Sequence, residues 1–315
     1  MSEDAYSKKA SRLFLSGILL LPALLVIFAP AVYSFKWFVD YSLQVMFLYL
    51  GLGFIFLFLT KNFWLAISWG ACIFLCIFLK YTSNQAFSFE KPSGGKIITV
   101  ANYNISFVDS VQNIIESIRQ NNAQLISIQE VTPDLDTILI EGLKSNYPYH
   151  FSLKRADFYG MMIFSALPFE KIDTFQFGEI PNIIGNLKVD GTTDGFNFIV
   201  SYCPPSFSSS TYLQLKAHLK VIANYAKNES GPLITMGTYN TVPWAPEVQD
   251  FKKIAKLNDS RLGIAPAVSS SSNPLFQIPI DHIFHSEKLK CTNFKALSYN
   301  QHAHLGIEGS FEILP

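Results

Sequence analysis

Apolar and polar positions divide this chain near residue 86. Before that point charged side chains are sparse, and three uncharged stretches stand out at 13–35, 41–60 and 63–79. They run for 23, 20 and 17 residues, flanked by Arg12 and Lys36, by Asp40 and Lys61, and by Lys80. A helix needs roughly 17–25 such residues to cross about 30 Å of hydrocarbon. The pattern therefore predicts three transmembrane helices in an anchor of residues 1–85. Buried core helices rarely stay uncharged for so long. A removed leader would need a small-x-small cleavage pattern followed by polar sequence, and the first span has none. Trp37, Trp64 and Tyr81 lie at span ends, where amphipathic rings prefer the headgroup region.

After a linker at 86–95 rich in Ser, Pro, Gly and Lys, strand-like and helix-like segments alternate. Strands are expected at 96–100 and just beyond, 125–129, 161–164, 196–201, 233–236, 280–285 and 310–314. Helical periodicity covers 108–121. It recurs at 212–227, with Leu213, Leu219, Ile222 and Tyr225 on or near one face. This alternation predicts an α/β domain over residues 96–315. Polar residues follow the strands at Asn104, Glu130, Tyr202, Asn240, Asp281 and His302. Strand ends are rigid supports on which site residues tend to sit.

The apolar share of 49% and the mean hydropathy of +0.24 come largely from the anchor. Formal net charge is zero, but residues 1–85 hold 6 Lys/Arg and 3 Asp/Glu. That leaves 18 basic against 21 acidic side chains beyond them, an excess of three acids. A domain built to hold duplex nucleic acid carries the opposite excess, because neutralising phosphates dominates that affinity. Lys8, Lys9 and Arg12 precede the first span, whereas Lys36 is offset by Asp40. The positive-inside tendency then puts the N-terminus in the cytoplasm. Three spans would carry the α/β domain across, which in a bacterium means an inner-membrane protein with a periplasmic domain. Cys72 and Cys76 fall inside the third span as packing residues. Cys203 and Cys291 read as ordinary half-buried thiols, with pairing left open by the sequence.

Six segments in order resemble the endonuclease/exonuclease/phosphatase family, over the last two-thirds of the chain. Thr99-Val-Ala-Asn-Tyr-Asn-Ile is similar to its opening strand, ending in Asn104. Ile126-Ser-Ile-Gln-Glu-Val resembles the "LQEV" strand that presents Glu130. Tyr159-Gly-Met-Met-Ile-Phe-Ser resembles "GxAILSR", with Ala166 where Arg is common. Gly237-Thr-Tyr-Asn stands at the "GDFN" position, Ile280-Asp-His-Ile-Phe at "IDHIF" and Asn300-Gln-His at "SDH".

The resemblance implies a four-layer α/β sandwich of two mixed β-sheets flanked by helices, here preceded by three transmembrane helices. It implies a Mg²⁺-dependent phosphoester hydrolase, with metal at Glu130 and Asn104. Asn240 and Tyr202 would bind phosphate, and His302 backed by Asp281 would face the scissile group. Hydrolysis needs a hard cation, an activated water and donors for developing charge. Two motif carboxylates are replaced, by Thr238 and by Gln301. Neither replacement ionises near neutral pH, so neither serves as a general base, and Mg²⁺ binding is weakened. The alternative is a catalytically inactive descendant acting as a binding or scaffold module at the membrane. The partners expected are the membrane, a phosphoester small molecule or lipid headgroup, and a protein in the scaffold reading.

Overall fold

A computed structural model describes residues 3–28, 30–83, 88–89, 91–106, 110–191, 195–261, 276–299 and 303–314. The chain forms two compact units: Met1–Gln85 with Trp244–Pro246, and Ala86–Pro243 with Glu247–Pro315.

The first unit is helical, with α1 (Glu3–Phe28), α2 (Tyr33–Asp40), α3 (Ser42–Phe58) and α4 (Asn62–Ser83). Two stretches, Lys9–Phe28 and Asn62–Ser83, are single helices long and apolar enough to cross a membrane. The pair α2 and α3, bent by 56°, makes a third only if it counts as one broken span. The uncharged run at 13–35 is thus divided between two helices. Its physical cause is Pro30, since helices usually end at or before the residue preceding a proline. Inside α1, Pro22 interrupts the hydrogen-bond ladder. The Tyr49 hydroxyl from α3 inserts there, accepting from the Ala23 N–H at 3.3 Å and donating to the Leu19 carbonyl. Large apolar side chains face outward, among them Phe14, Ile18, Phe58 and Phe74. Lys36 is paired with Asp40 at 2.8 Å.

Among the described residues the second unit holds two six-stranded mixed sheets. The first has the order β11 (Leu289–Tyr299), β12 (Ala303–Ile313), β1 (Ile97–Asn104), β2 (Leu125–Gln129), β4 (Met161–Ser165), β3 (Tyr149–Leu153). The second runs β5 (Phe169–Phe177), β6 (Ile180–Leu187), β7 (Phe196–Ser201), β8 (Leu233–Thr238), β10 (Asp281–His285), β9 (Asn258–Asp259). Parallel pairing occurs once in each sheet, between β1 and β2 and between β7 and β8.

Alternation at β1 explains the layering. Ile98 and Val100 enter a core shared with Phe198, Val200, Ile234 and Met236 of the other sheet. Ala101 and Tyr103 point the opposite way, to α5 (Val111–Gln120) and α6 (Pro133–Leu143). Helices α7 (Ser209–Asn228) and α8 (Pro246–Ala255) accompany the second sheet. In α8, Phe251 packs on Phe284 of β10 with ring centroids 5.1 Å apart.

The expected apolar face of α7 is corrected. Leu213 and Tyr225 are exposed, and the buried face is Tyr212, Leu215, His218, Leu219, Ile222, Ala223 and Ala226. Cys203 and Cys291 are both buried and unbridged. Residues read as linker are tied to the α/β unit. The Glu312 carboxylate accepts from the Ser93 N–H and hydroxyl and from the Gly95 N–H, while Phe89 packs on the inter-sheet core.

Candidate functional site

The ends of β1, β2, β7 and β8 and the start of β10 bring five of the singled-out side chains together with Thr238. Asn104 ends β1, and its amide donates to Glu130 Oε1 at 2.8 Å and to Thr238 Oγ1 at 3.2 Å. Glu130 follows β2 with φ +62°, a left-handed conformation that side chains rarely adopt. Tyr202, just past β7, donates its hydroxyl to the same Glu130 Oε1 at 2.9 Å. Thr238 ends β8 and donates to Asp281 Oδ1 at 2.6 Å. That contact follows from register, since Thr238 and Asp281 face each other across the β8–β10 ladder. A continuous chain therefore runs from Tyr202 through Glu130, Asn104 and Thr238 to Asp281.

Asn240 also has a left-handed backbone, at φ +51°. Its amide donates to the Cys203 carbonyl at 2.7 Å and reaches the Tyr202 hydroxyl. Strained non-glycine residues persist only where surrounding structure holds them, and they cluster at functional sites. Burial, and then the charge of Glu130, push the Tyr202 phenol well above its ordinary range. Tyr202 is therefore a neutral donor at physiological pH. Phe158 and Tyr159 wall this side of the cleft, with ring centroids 5.8 and 5.7 Å from that of Tyr202. Phe158 is 45% exposed and faces solvent at the rim.

Two of the expected residues, His302 and the replaced position Gln301, lie outside the described residues. The described strands on either side, β11 and β12, pair as far as Tyr299 with Ala303. Tyr103 pairs with Gly306, so β12 begins beyond the Asn104 end of β1. Ala166 takes no part in the site. Its N–H bonds Gln124 at the start of β2, whereas Glu130 follows the end of that strand.

Three contributors escaped the sequence reading. Gln129, fully buried, bridges the sheets by accepting from the Thr238 N–H at 2.7 Å and donating to the Ser201 carbonyl at 3.0 Å. Its place before Glu130 in the motif was the available signal. His282 and Arg261 lie behind Asp281, both buried. Burial, and then the Arg261 charge, hold the His282 imidazole well below its usual range. Nothing in local sequence pairs Arg261 with His282.

The donor set suits one kind of cation. Asn104 and Tyr202 both bond Glu130 at Oε1, leaving Oε2 for a cation. Among the described residues no three His, Cys, Asp or Glu side chains converge as a metal cage. A hard ion that keeps several waters and takes one or two carboxylates fits this arrangement.

Facing mixed sheets with an acid–amide cleft at their strand ends define a phosphoesterase-type α/β sandwich. The sequence profile of the Endonuclease/Exonuclease/phosphatase family matches residues 101–301. The chain belongs to that family. No curated relative matches its sequence. Solved structures do match in fold. An endonuclease/exonuclease/phosphatase from Beutenbergia cavernae DSM 12333 aligns with TM-score 0.56 at 16% identity, covering 70% of this chain and 72% of that one. TDP2 of D. rerio, complexed with single strand DNA product, gives 0.56 at 13% identity, over 69% and 99%. The mannosyl-6-phosphatase Bt3783 of Bacteroides thetaiotaomicron VPI-5482 gives 0.54 at 15%, over 69% and 100%. At such identities the likeness is one of fold.

Proposed function

We propose that this protein is a membrane-anchored phosphoester hydrolase with an altered catalytic set, acting on a phosphoester small molecule or a lipid headgroup. The observation that carries the reading is Glu130, held in a left-handed turn by Asn104 and Tyr202 with its second oxygen available. In this reading Glu130, with Asn104 beside it, holds Mg²⁺, which when bound polarises the phosphoryl oxygens. Tyr202 and Asn240 donate hydrogen bonds to phosphate, where donors matter most as charge develops. His302, backed by Asp281, is assigned to the scissile group. Thr238 cannot take a proton from water, so the rate falls about 10²–10⁴-fold below that of an enzyme with a base there.

The family neighbours support this chemistry by analogy, since one of them is named as a phosphatase and another was solved with a DNA product. The acidic excess beyond residue 85 argues against duplex DNA for this chain. The anchor is assigned three spans, with α2 and α3 as one, an inner-membrane location and a periplasmic α/β unit. The N-terminal Lys8, Lys9 and Arg12 support that orientation.

One observation favours a second reading, a non-catalytic module that binds a protein or ligand at the membrane. The Thr238 hydroxyl already satisfies Asp281, at 2.6 Å, where the motif has a carboxylate. The two readings separate in one assay. Full-length protein in detergent is offered phosphomonoesters, phosphodiesters and phospholipids with Mg²⁺. Hydrolysis that disappears with chelator and in Glu130→Ala supports the hydrolase; no turnover across the panel removes it and leaves the module.

A further inference from the structure

Behind the cleft lies a buried polar group that the assigned roles do not use. Arg261 is 3% exposed, and its guanidinium contacts three different structures. Nη1 lies 3.2 Å from both carboxylate oxygens of Asp259, which neutralises the charge. Nη2 donates to the backbone carbonyl of Asp281. Nη1 also lies 3.2 Å from His282 Nδ1. Arginine never accepts a hydrogen bond, so Nδ1 must be the acceptor. The proton of a neutral imidazole then sits on Nε2, which lies 2.8 Å from the Thr241 carbonyl and donates to it.

Thr241 is the residue after Asn240. Its hydroxyl donates to Glu247 Oε1 at 2.7 Å, and Tyr212 donates to Glu247 Oε2 at 2.9 Å. Thr241, the residue after Asn240, is therefore gripped twice, at its carbonyl by His282 and at its hydroxyl by Glu247. A left-handed backbone costs a non-glycine residue energy, less for asparagine than for most, and contacts from its neighbours help to hold it there. Were Asn240 to relax, its amide would leave the Cys203 carbonyl and the Tyr202 hydroxyl.

We propose that Arg261 and His282 are positioning residues for the cleft, resting on the hydrolase reading for their effect on turnover. The guanidinium fixes the imidazole tautomer and the Asp281 peptide together. The imidazole then holds the Thr241 carbonyl, which keeps the Asn240 amide beside Tyr202. One buried cation thereby sets both the acidic and the amide side of the site. Lysine cannot substitute, because a point charge lacks the planar fork needed for three acceptors in different directions.

The test uses full-length protein in detergent and two readouts. In hydrogen exchange, His282→Ala accelerates exchange in peptides spanning 237–243 by about 10-fold or more, as expected for a lost buried hydrogen bond. Peptides spanning 125–129 keep their wild-type rate. His282→Gln restores protection, because its amide N–H can reach the Thr241 carbonyl, and Arg261→Lys does not. In Mg²⁺-dependent hydrolysis of a phosphodiester, the same defective variants lose kcat by about 10-fold or more with KM changed far less.

Unchanged exchange at 237–243, or acceleration spread evenly over the whole α/β unit, overturns the proposal. So does wild-type kcat in a variant whose 237–243 exchange has risen. Should His282→Ala not fold, His282→Gln and Arg261→Lys decide the matter, and wild-type behaviour of both overturns it. If the wild type shows no turnover but exchange behaves as stated, the hydrolase reading fails and the positioning role stands.

Discussion

The Gln129 side chain reaches across the inter-sheet core to Thr238, accepting its backbone N–H at 2.7 Å. The other end of the same amide donates to Ser201, one residue before Tyr202. Glu130, Tyr202 and Thr238 are thus fixed relative to one another by their immediate neighbours. The approach demands Gly237, whose φ is +148°. A Cβ there would lie 1.9 Å from the Ser201 oxygen and 2.7 Å from Gln129 Nε2. Gln129→Ala leaves two buried backbone groups unpaired and is expected to cost about 2–5 kcal/mol. Urea denaturation of the full chain in detergent checks this, and a loss under 1 kcal/mol would show that the bridge is dispensable.

Thr238 is small and neutral between an amide and a carboxylate, and that neutrality has a consequence. Thr238→Asp sets a second carboxylate against the buried Asp281, its partner in register. Like charges at this distance disfavour joint ionisation. The variant should melt roughly 3–6 °C below wild type in chelator. Mg²⁺ should then raise its melting temperature more than it raises that of the wild type, because a cation relieves the repulsion. An identical Mg²⁺ response in both proteins would place the cation away from this pair.

How far the sequence carried depended on what each segment buries. Strands β2 and β7 were legible to the residue, since both are short apolar runs buried on both faces. Edge strand β5 was not anticipated, because its exposed and buried positions mix without an apolar run. Helix α7 is legible, and two of its four expected inward residues, Leu219 and Ile222, are buried while Leu213 and Tyr225 are not. His218 reads as polar yet lies fully inside, while Leu213 reads as core and is 61% exposed. The uncharged first span gave no information about helix ends, so the break before α2 could come only from Pro30. In the site, motif order sets Asn104 and Glu130 at strand ends, as the structure has them, whereas Asp281 does not follow a strand but opens β10. Long-range contacts such as Arg261 with His282 leave no trace in local periodicity.

His218 makes a prediction about pH. It is stacked on Phe177 with ring planes 5° apart and contacts Asn182 Oδ1 through Nε2 at 2.8 Å. Burial lowers its folded-state pKa from 6.5 to about 4. The unfolded chain therefore binds this proton first, and stability falls as pH drops below about 6.5 until about 4. The loss from this one group is on the order of 3 kcal/mol across that window. His218→Gln keeps an N–H for Asn182 and cannot titrate. Its unfolding free energy should fall less steeply than that of the wild type between those pH values; parallel curves would exclude His218 as the cause.

If the apolar helices cross a membrane with Lys8 and Lys9 in the cytoplasm, the number of spans fixes the side on which the α/β unit lies, and α2 and α3 decide that number. Helix α3 has 17 residues, which at 1.5 Å per residue gives about 25 Å, slightly short of a bilayer core. Its packing nevertheless resembles that of a spanning helix. A Cβ on Gly53 would meet the Trp69 indole of α4 at 1.9 Å, so a small residue permits the close approach. The Tyr49 hydroxyl bridges to α1, a polar contact that suits an environment without water. With α2 and α3 as one bent span, three crossings carry the C-terminus to the side opposite Lys8 and Lys9. In a bacterial host, alkaline phosphatase fused after Pro315 should then be active, and a green fluorescent reporter at the same point should stay dark. The reverse pair of results would put the Glu130 cleft in the cytoplasm, through an even number of crossings or an N-terminus on the far side.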